Sequence, residues 1–215
     1  TLHGGTVNDI VLAAVTDGLR QQLTRDGVDL AGVRTRTMVP VSIRREDEAG
    51  VVANRVSAVF VDLPVGIEDG SERIAEIRRQ MDSIKATNGE STAEVIGEVV
   101  NYVPHALFQA AERAILRVSD VQRFFNTITT NVPGPQFPLY CAGREMKSMH
   151  PFIMLLQDQR ITTAIFSYNG GVYFGVTGDR ENVPCIDAVC TGIEHALDGL
   201  LEERLQPKRR LRVAA

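Results

Sequence analysis

No stretch of this sequence is apolar for long enough to cross a membrane, and no signal peptide opens it. There is no basic excess either. Lys and Arg number 23 against 27 Asp and Glu, a net charge of −4, which argues against a nucleic-acid partner. Cysteine is scarce: Cys141, Cys185 and Cys190 are an odd number without CxxC spacing. Neither a disulfide framework nor a zinc or other metal site is expected, and a reducing cytoplasm is the simplest compartment. The chain has no G-x-S-x-G elbow, no P-loop and no dinucleotide fingerprint, so three common chemistries lose their signature. Its four histidines, His3, His105, His150 and His195, stand apart from one another. No internal repeat, low-complexity tract or interdomain linker is visible. Residues 1–205 read as one domain and 206–215 as a basic tail, either frayed in solvent or touching an anionic lipid or phosphate. A start at Thr1 rather than Met suggests a processed or truncated product.

What is present centres on Thr127–Pro135, Thr-Ile-Thr-Thr-Asn-Val-Pro-Gly-Pro. Its first half alternates polar and apolar β-branched residues, as a strand buried on one face does. Its second half cannot continue as an ordinary central strand. Pro133 and Pro135 lack amide donors, and Gly134 permits backbone angles that other residues avoid. Thr129, Thr130 and Asn131 therefore stand where a strand stops at a stiff turn. That is either a binding cleft or a polar strand end with a Pro-Gly turn.

Thr6 to Asp9 has the spacing of a capping box, and Ile10 to Val15 follows without a polar residue. A helix that apolar is expected to be buried on several sides. Asn8 and Asp9 would then present at an internal helix start, as plain caps or as site residues. Thr35–Ile43 reads as a strand with Pro40 marking an edge or end, Arg44–Gly50 as a charged loop, and Arg55–Val65 as a second strand. Ser71–Ala86 has helical spacing, and Thr92–Phe125 reads as two helices divided near Pro104 with an apolar stripe facing core, lipid or a partner. Ile161–Tyr168 and Val172–Val176 flank Asn169-Gly170-Gly171, a hairpin signal, and Val183–Leu205 reads as a final helix. Strands alternating with helices, plus hairpins, imply an α/β fold: a mixed β-sheet flanked by helices.

Asn131-Val-Pro-Gly-Pro after its Thr-rich strand resembles the C-terminal domain of the bacterial wax ester synthase/diacylglycerol acyltransferase family. Three further passages agree in order: Val7-Asn8-Asp9-Ile10-Val11-Leu12-Ala13, Asn54-Arg55-Val56-Ser57, and Ser167-Tyr168-Asn169-Gly170 with Phe174-Gly175 and Asp179. The resemblance implies one half of a two-domain fold like that of chloramphenicol acetyltransferase. Acyl-CoA would be a substrate, with no cofactor needed, and the acceptor would be diacylglycerol or a long-chain alcohol. The family's catalytic base lies in an HHxxxDG motif that this chain lacks, so an N-terminal domain or chain carrying it is the implied partner. His195-Ala-Leu-Asp198-Gly199 lacks the double histidine and is one residue short. Asn8, Thr130 and Asn131 are the implied supporting catalytic residues, with Thr129 and Thr130 as candidate hydroxyl donors. Asp9, Thr129, Pro133 and Gly134 are the implied walls of the substrate channel. The family has Gly where this chain has Ala53, ahead of Asn54. Insoluble lipid products leave room for peripheral contact with the inner membrane face or lipid droplets. The competing reading is a non-catalytic acyl- or CoA-binding or interaction module.

Overall fold

In a computed structural model, residues 5–42, 56–87, 125–156 and 159–205 are described. The expected helix pair in 92–125, Asn54, His3, His105 and the tail at 206–215 lie outside them. Helix α1, Val7–Arg25, is opened by the full capping box: Thr6 N and Oγ1 both donate to Asp9 Oδ2, and Asp9 N donates to Thr6 Oγ1. Every residue from Val11 to Leu19 is buried, as the unbroken apolar run implied.

Five strands make one mixed sheet: β1 (Thr35–Ser42), β2 (Val56–Leu63), β3 (Thr127–Pro133), β6 (Ile161–Tyr168) and β7 (Gly171–Gly178), in spatial order β2-β1-β3-β6-β7. The two outer pairings are antiparallel, whereas β1, β3 and β6 run parallel. The β6–β7 hairpin turns on Asn169 and Gly170, both at positive φ (46° and 81°), a primed turn that suits the twist of paired strands. A separate two-residue ribbon, β4 (Tyr140–Cys141) with β5 (Arg144–Glu145), follows β3. Pro40 sits inside β1, where the ladder to β3 has already ended at Met38, so its missing donor costs no pairing on that side.

Helices α2 (Gly70–Thr87) and α3 (Asp187–Leu205) join α1 on one face of the sheet. The final helix begins later than its apolar run because Pro184 interrupts it, and Val183 N instead donates to Asp179 O in a turn. Two apolar clusters form, and α1 belongs to both. Leu12 and Ala13 pack with Val39, Val61, Ile74 and Ile77; Val15 and Leu19 pack with Leu63, Ile165, Val189 and Ile193. The α1–α3 contact is nearly backbone on backbone. A Cβ on Gly18 would lie 2.5 Å from Val189 O, and one on Gly192 would lie 2.6 Å from Gly18 Cα. On the outer side of β2, Gln80 of α2 accepts from Asp62 N and donates to Asp62 O, each at 2.9 Å, so a side chain takes the place of a neighbouring strand.

Candidate functional site

The site grows from the way the sheet opens. The β1–β3 ladder covers only Thr37↔Thr127 and Met38↔Ile128, while β3 stays paired with β6 as far as Pro133↔Ser167. Past Ile128, the last residues of β3 are therefore bonded to one neighbouring strand among the described residues. Asn131 lies in that stretch, and its Nδ2 donates to Asn8 Oδ1 at 3.3 Å. Both residues are half-buried. Two candidates 123 positions apart in the sequence are thus brought together at the carboxyl end of a parallel strand, and Asn8 Nδ2 has no hydrogen-bond partner among the described residues.

Successive strand residues face opposite ways, which separates the two threonines. Thr129 shares Asn131's face and is 1% exposed; its Oγ1 accepts from Thr37 Oγ1 at 2.9 Å. Thr130 points to the other face, half-buried, and its hydroxyl has no partner among the described residues. Beside Thr129 in the β3–β6 register, Thr163 keeps a buried hydroxyl that is likewise unpartnered among them. Asp9 serves the capping box through Oδ2 while its buried Oδ1 has no partner there. Pro133 is exposed and remains in β3, pairing with Ser167, so the strand runs two residues beyond Asn131.

Gly134 corrects an expectation. Its φ is not positive, so conformational freedom is not what it supplies. It donates to Ser167 O at 2.9 Å, and a Cβ there would lie 2.3 Å from that oxygen and 2.4 Å from the Phe166 ring. Close approach is the reason for glycine. Nearby, the fully buried Tyr168 accepts from Leu139 N through its hydroxyl and donates to Met146 O, tying both ends of the β4–β5 ribbon to the sheet.

The described histidines stay apart from this place. His150 is exposed and packs edge-on to Tyr173 with ring centroids 5.3 Å apart; His195 is exposed on α3, as its helical setting implied. Sequence reasoning missed a charged cluster further along α1. Arg73 Nη2 lies 2.7 Å from Asp17 Oδ1, and Arg73 also donates to Ile67 O and Glu68 O. Burial lowers the Arg73 pKa, and Asp17 opposes that. These partners are 56 positions apart in the chain, and no short motif joins them.

The comparisons with known proteins agree with one another. Residues 52–201 match the family model described as the WS/DGAT C-terminal domain. The Mycobacterium tuberculosis (strain H37Rv) protein named "probable diacyglycerol O-acyltransferase tgs1" is 31% identical over 196 residues, covering 91% of this chain and 42% of that protein. "O-acyltransferase WSD" of Acinetobacter baylyi is 28% identical, over 89% of this chain and 41% of its own length. The solved wax ester synthase/diacylglycerol acyltransferase of Marinobacter aquaeolei VT8 superposes with a TM-score of 0.72 at 26% identity, over 95% of this chain and 45% of that one. The chain thus spans less than half the length of the relatives it matches. The expected fold class, a mixed sheet flanked by helices and similar to half of an acyltransferase of the chloramphenicol acetyltransferase type, is borne out. By the extent and agreement of these matches, the chain belongs to the family of wax ester synthase/diacylglycerol acyltransferase C-terminal domains.

Proposed function

We propose that this chain is the C-terminal half of an acyl-CoA-dependent O-acyltransferase that esterifies diacylglycerol or a long-chain alcohol. The observation that carries the reading is the Asn8–Asn131 contact where β1 and β3 part. In open α/β sheets the carboxyl ends of parallel strands are where ligands are held. Two tethered carboxamides leave N–H donors over: the second hydrogen of Asn131 and both on Asn8. Fixed donors of that kind stabilise charge developing on a thioester carbonyl, and they need no reorganisation during the reaction.

The N-terminal half supplies the base in an HHxxxDG motif; a neutral imidazole there removes the alcohol proton as its oxygen attacks the thioester. The bond from acyl carbon to sulfur then breaks, and CoA leaves as the thiol. This half contributes Asn8 and Asn131 as supports on the face of β3 that they share with Thr129, and the hydroxyl of Thr130 as a support from the opposite face, with Asp9, Thr129, Pro133 and Gly134 around the channel. Acyl-CoA enters as substrate, and contact with a membrane face or lipid droplet brings the enzyme to its insoluble acceptor. Among the described residues no helix is long and apolar enough to cross a membrane.

The test is thiol release from palmitoyl-CoA with diacylglycerol or hexadecanol. The 215-residue chain alone should show no turnover, and adding the separately made HHxxxDG half should restore it. Robust turnover by the chain alone would shift the chemistry to His150 or His195. Acyl-CoA binding with no turnover even in the complete protein would favour the binding-module reading.

A further inference from the structure

A cleft of about 280 Å³ lies between α1, the start of α2 and α3. That is just under the range of cavities that hold drug-sized molecules, so its occupant is small. One wall is apolar, with Ala196 and Leu200 from α3. The other is charged, and its charges do not balance evenly. Arg73, whose side chain is 3% exposed, is matched by Asp17 at 2.7 Å. The second Asp17 oxygen already accepts from Gln21 Nε2 at 3.0 Å. Arg20 is the second cation. Its Nη1 donates to Val65 O at 3.0 Å, and among the described residues its Nη2 reaches only Glu68 Oε2, at 3.7 Å. The Glu68 side chain is 89% exposed, and an exposed pair at that distance is worth little. The cleft is thus lined by two guanidinium groups, the imidazole of His195, one well-seated carboxylate, and a second carboxylate that is exposed and loosely placed. Burial is the main cause that lowers the Arg73 pKa and the nearness of Arg20 adds to it, while Asp17 and, more weakly, Asp69 raise it.

We propose that this cleft binds a compact oxyanion, a carboxylate or phosphate, carried on a short apolar body. The oxyanion takes the place of Glu68 against Arg20 and shares the field of Arg73, since a guanidinium fork matches either head group. The body lies along Ala196 and Leu200.

The experiment is calorimetric titration of the chain with sodium phosphate, acetate and octanoate at constant ionic strength, with chloride as reference. Saturable binding of octanoate, several-fold tighter than acetate, is expected if the head is a carboxylate. Saturation by phosphate with neither carboxylate binding assigns the head to phosphate and rejects octanoate as its mimic. Glu68→Gln removes the competing carboxylate and should tighten binding of the winning anion about threefold, whereas Arg20→Gln should weaken it about tenfold. Heats no different from chloride for all three anions would overturn the proposal. So would a Glu68→Gln variant that binds more weakly or no differently. Arg20 also holds the backbone at Val65, so if Arg20→Gln fails to fold, the exposed Glu68 variant decides the matter.

Discussion

Asn131 Nδ2 lies 3.3 Å from Asn8 Oδ1, so one carboxamide pair ties the end of β3 to the first turn of α1. If the pair acts as a unit, Asn8→Ala and Asn131→Ala should each slow turnover of the complete enzyme about tenfold or more. The double variant should be little worse than the poorer single, because each change breaks the same contact. Both residues are half-buried, so melting temperatures should stay within a few degrees. Strictly multiplicative rate losses, or normal specific activity with a large melting loss, would assign the pair to architecture.

Thr129 and Thr130 should separate stability from turnover. Thr129→Val takes the acceptor from the buried Thr37 hydroxyl and should cost about 1–3 kcal/mol of stability. Thr130→Val keeps the volume and removes a half-buried hydroxyl on the other face; a lost oxyanion donor costs about 3 kcal/mol, on the order of a hundredfold in turnover. Thr130→Ser should retain most activity. Urea titrations beside thiol-release rates on the complete enzyme check both halves, and undiminished turnover in Thr130→Val would confine the chemistry to the face that Thr129 shares with Asn131 and Asn8.

Gly18 of α1 and Gly199 of α3 should differ in sign. Gly18→Ala drives a methyl to within 2.5 Å of Val189 O and should destabilise by about 1–3 kcal/mol. On α3, a Cβ at Gly199 meets nothing within 4 Å, so Gly199→Ala should be neutral or stabilise by up to about 1 kcal/mol through helix propensity. Chemical denaturation of the two variants gives the answer, and equal losses would mean the α1–α3 spacing is not set at Gly18.

Acid should weaken the fold through particular carboxylates. The Arg36 guanidinium, bonded across β1 and β2 at 2.6 and 3.2 Å, holds the Asp62 carboxyl below its usual range, and Arg79 does the same for Glu76. A depressed folded pKa contributes stability above the unfolded value and loses it as pH falls through the folded one. The loss should therefore appear below about pH 4, where unfolded carboxylates begin to protonate. Both members of the Arg36–Asp62 pair are more than a third exposed, so solvent screening keeps the effect modest. Urea midpoints at pH 7, 4.5 and 3 should show less acid sensitivity in Asp62→Asn; an unchanged pH slope would remove Asp62 from the account.

Features written in adjacent residues were legible. Thr6 and Asp9 announce the cap, Ile10–Val15 announces a helix with no solvent face, and Asn169-Gly170 announces the hairpin. Contacts made by folding were not. Gly134 is required by Ser167 and Phe166, more than thirty residues later. Which of Thr129 and Thr130 faces Asn8 depends on how β3 is laid against its neighbours. The β4–β5 turn places Ala142 at φ 50° before Gly143, and alanine is no signal for such a backbone. The Asp17–Arg73 pair needs the β2–α2 connection to fold back before either charge has a partner.

The stretch that matches the family model, residues 52–201, begins after α1 and β1, although the relatives match about 91% of the chain. The boundary of that model is thus not the boundary of the folding unit. A polypeptide trimmed to the matched stretch would lose the helix that both apolar clusters share. It would also lose β1, the strand by which β2 is attached to the sheet. Such a fragment is half a keystone arch: most of the stones are present, but not the one on which the others lean. Expressed by itself it should remain unfolded or aggregate. Co-expression with residues 1–51 as a separate peptide should rescue it, because what is missing is a surface to pack against, not a covalent link.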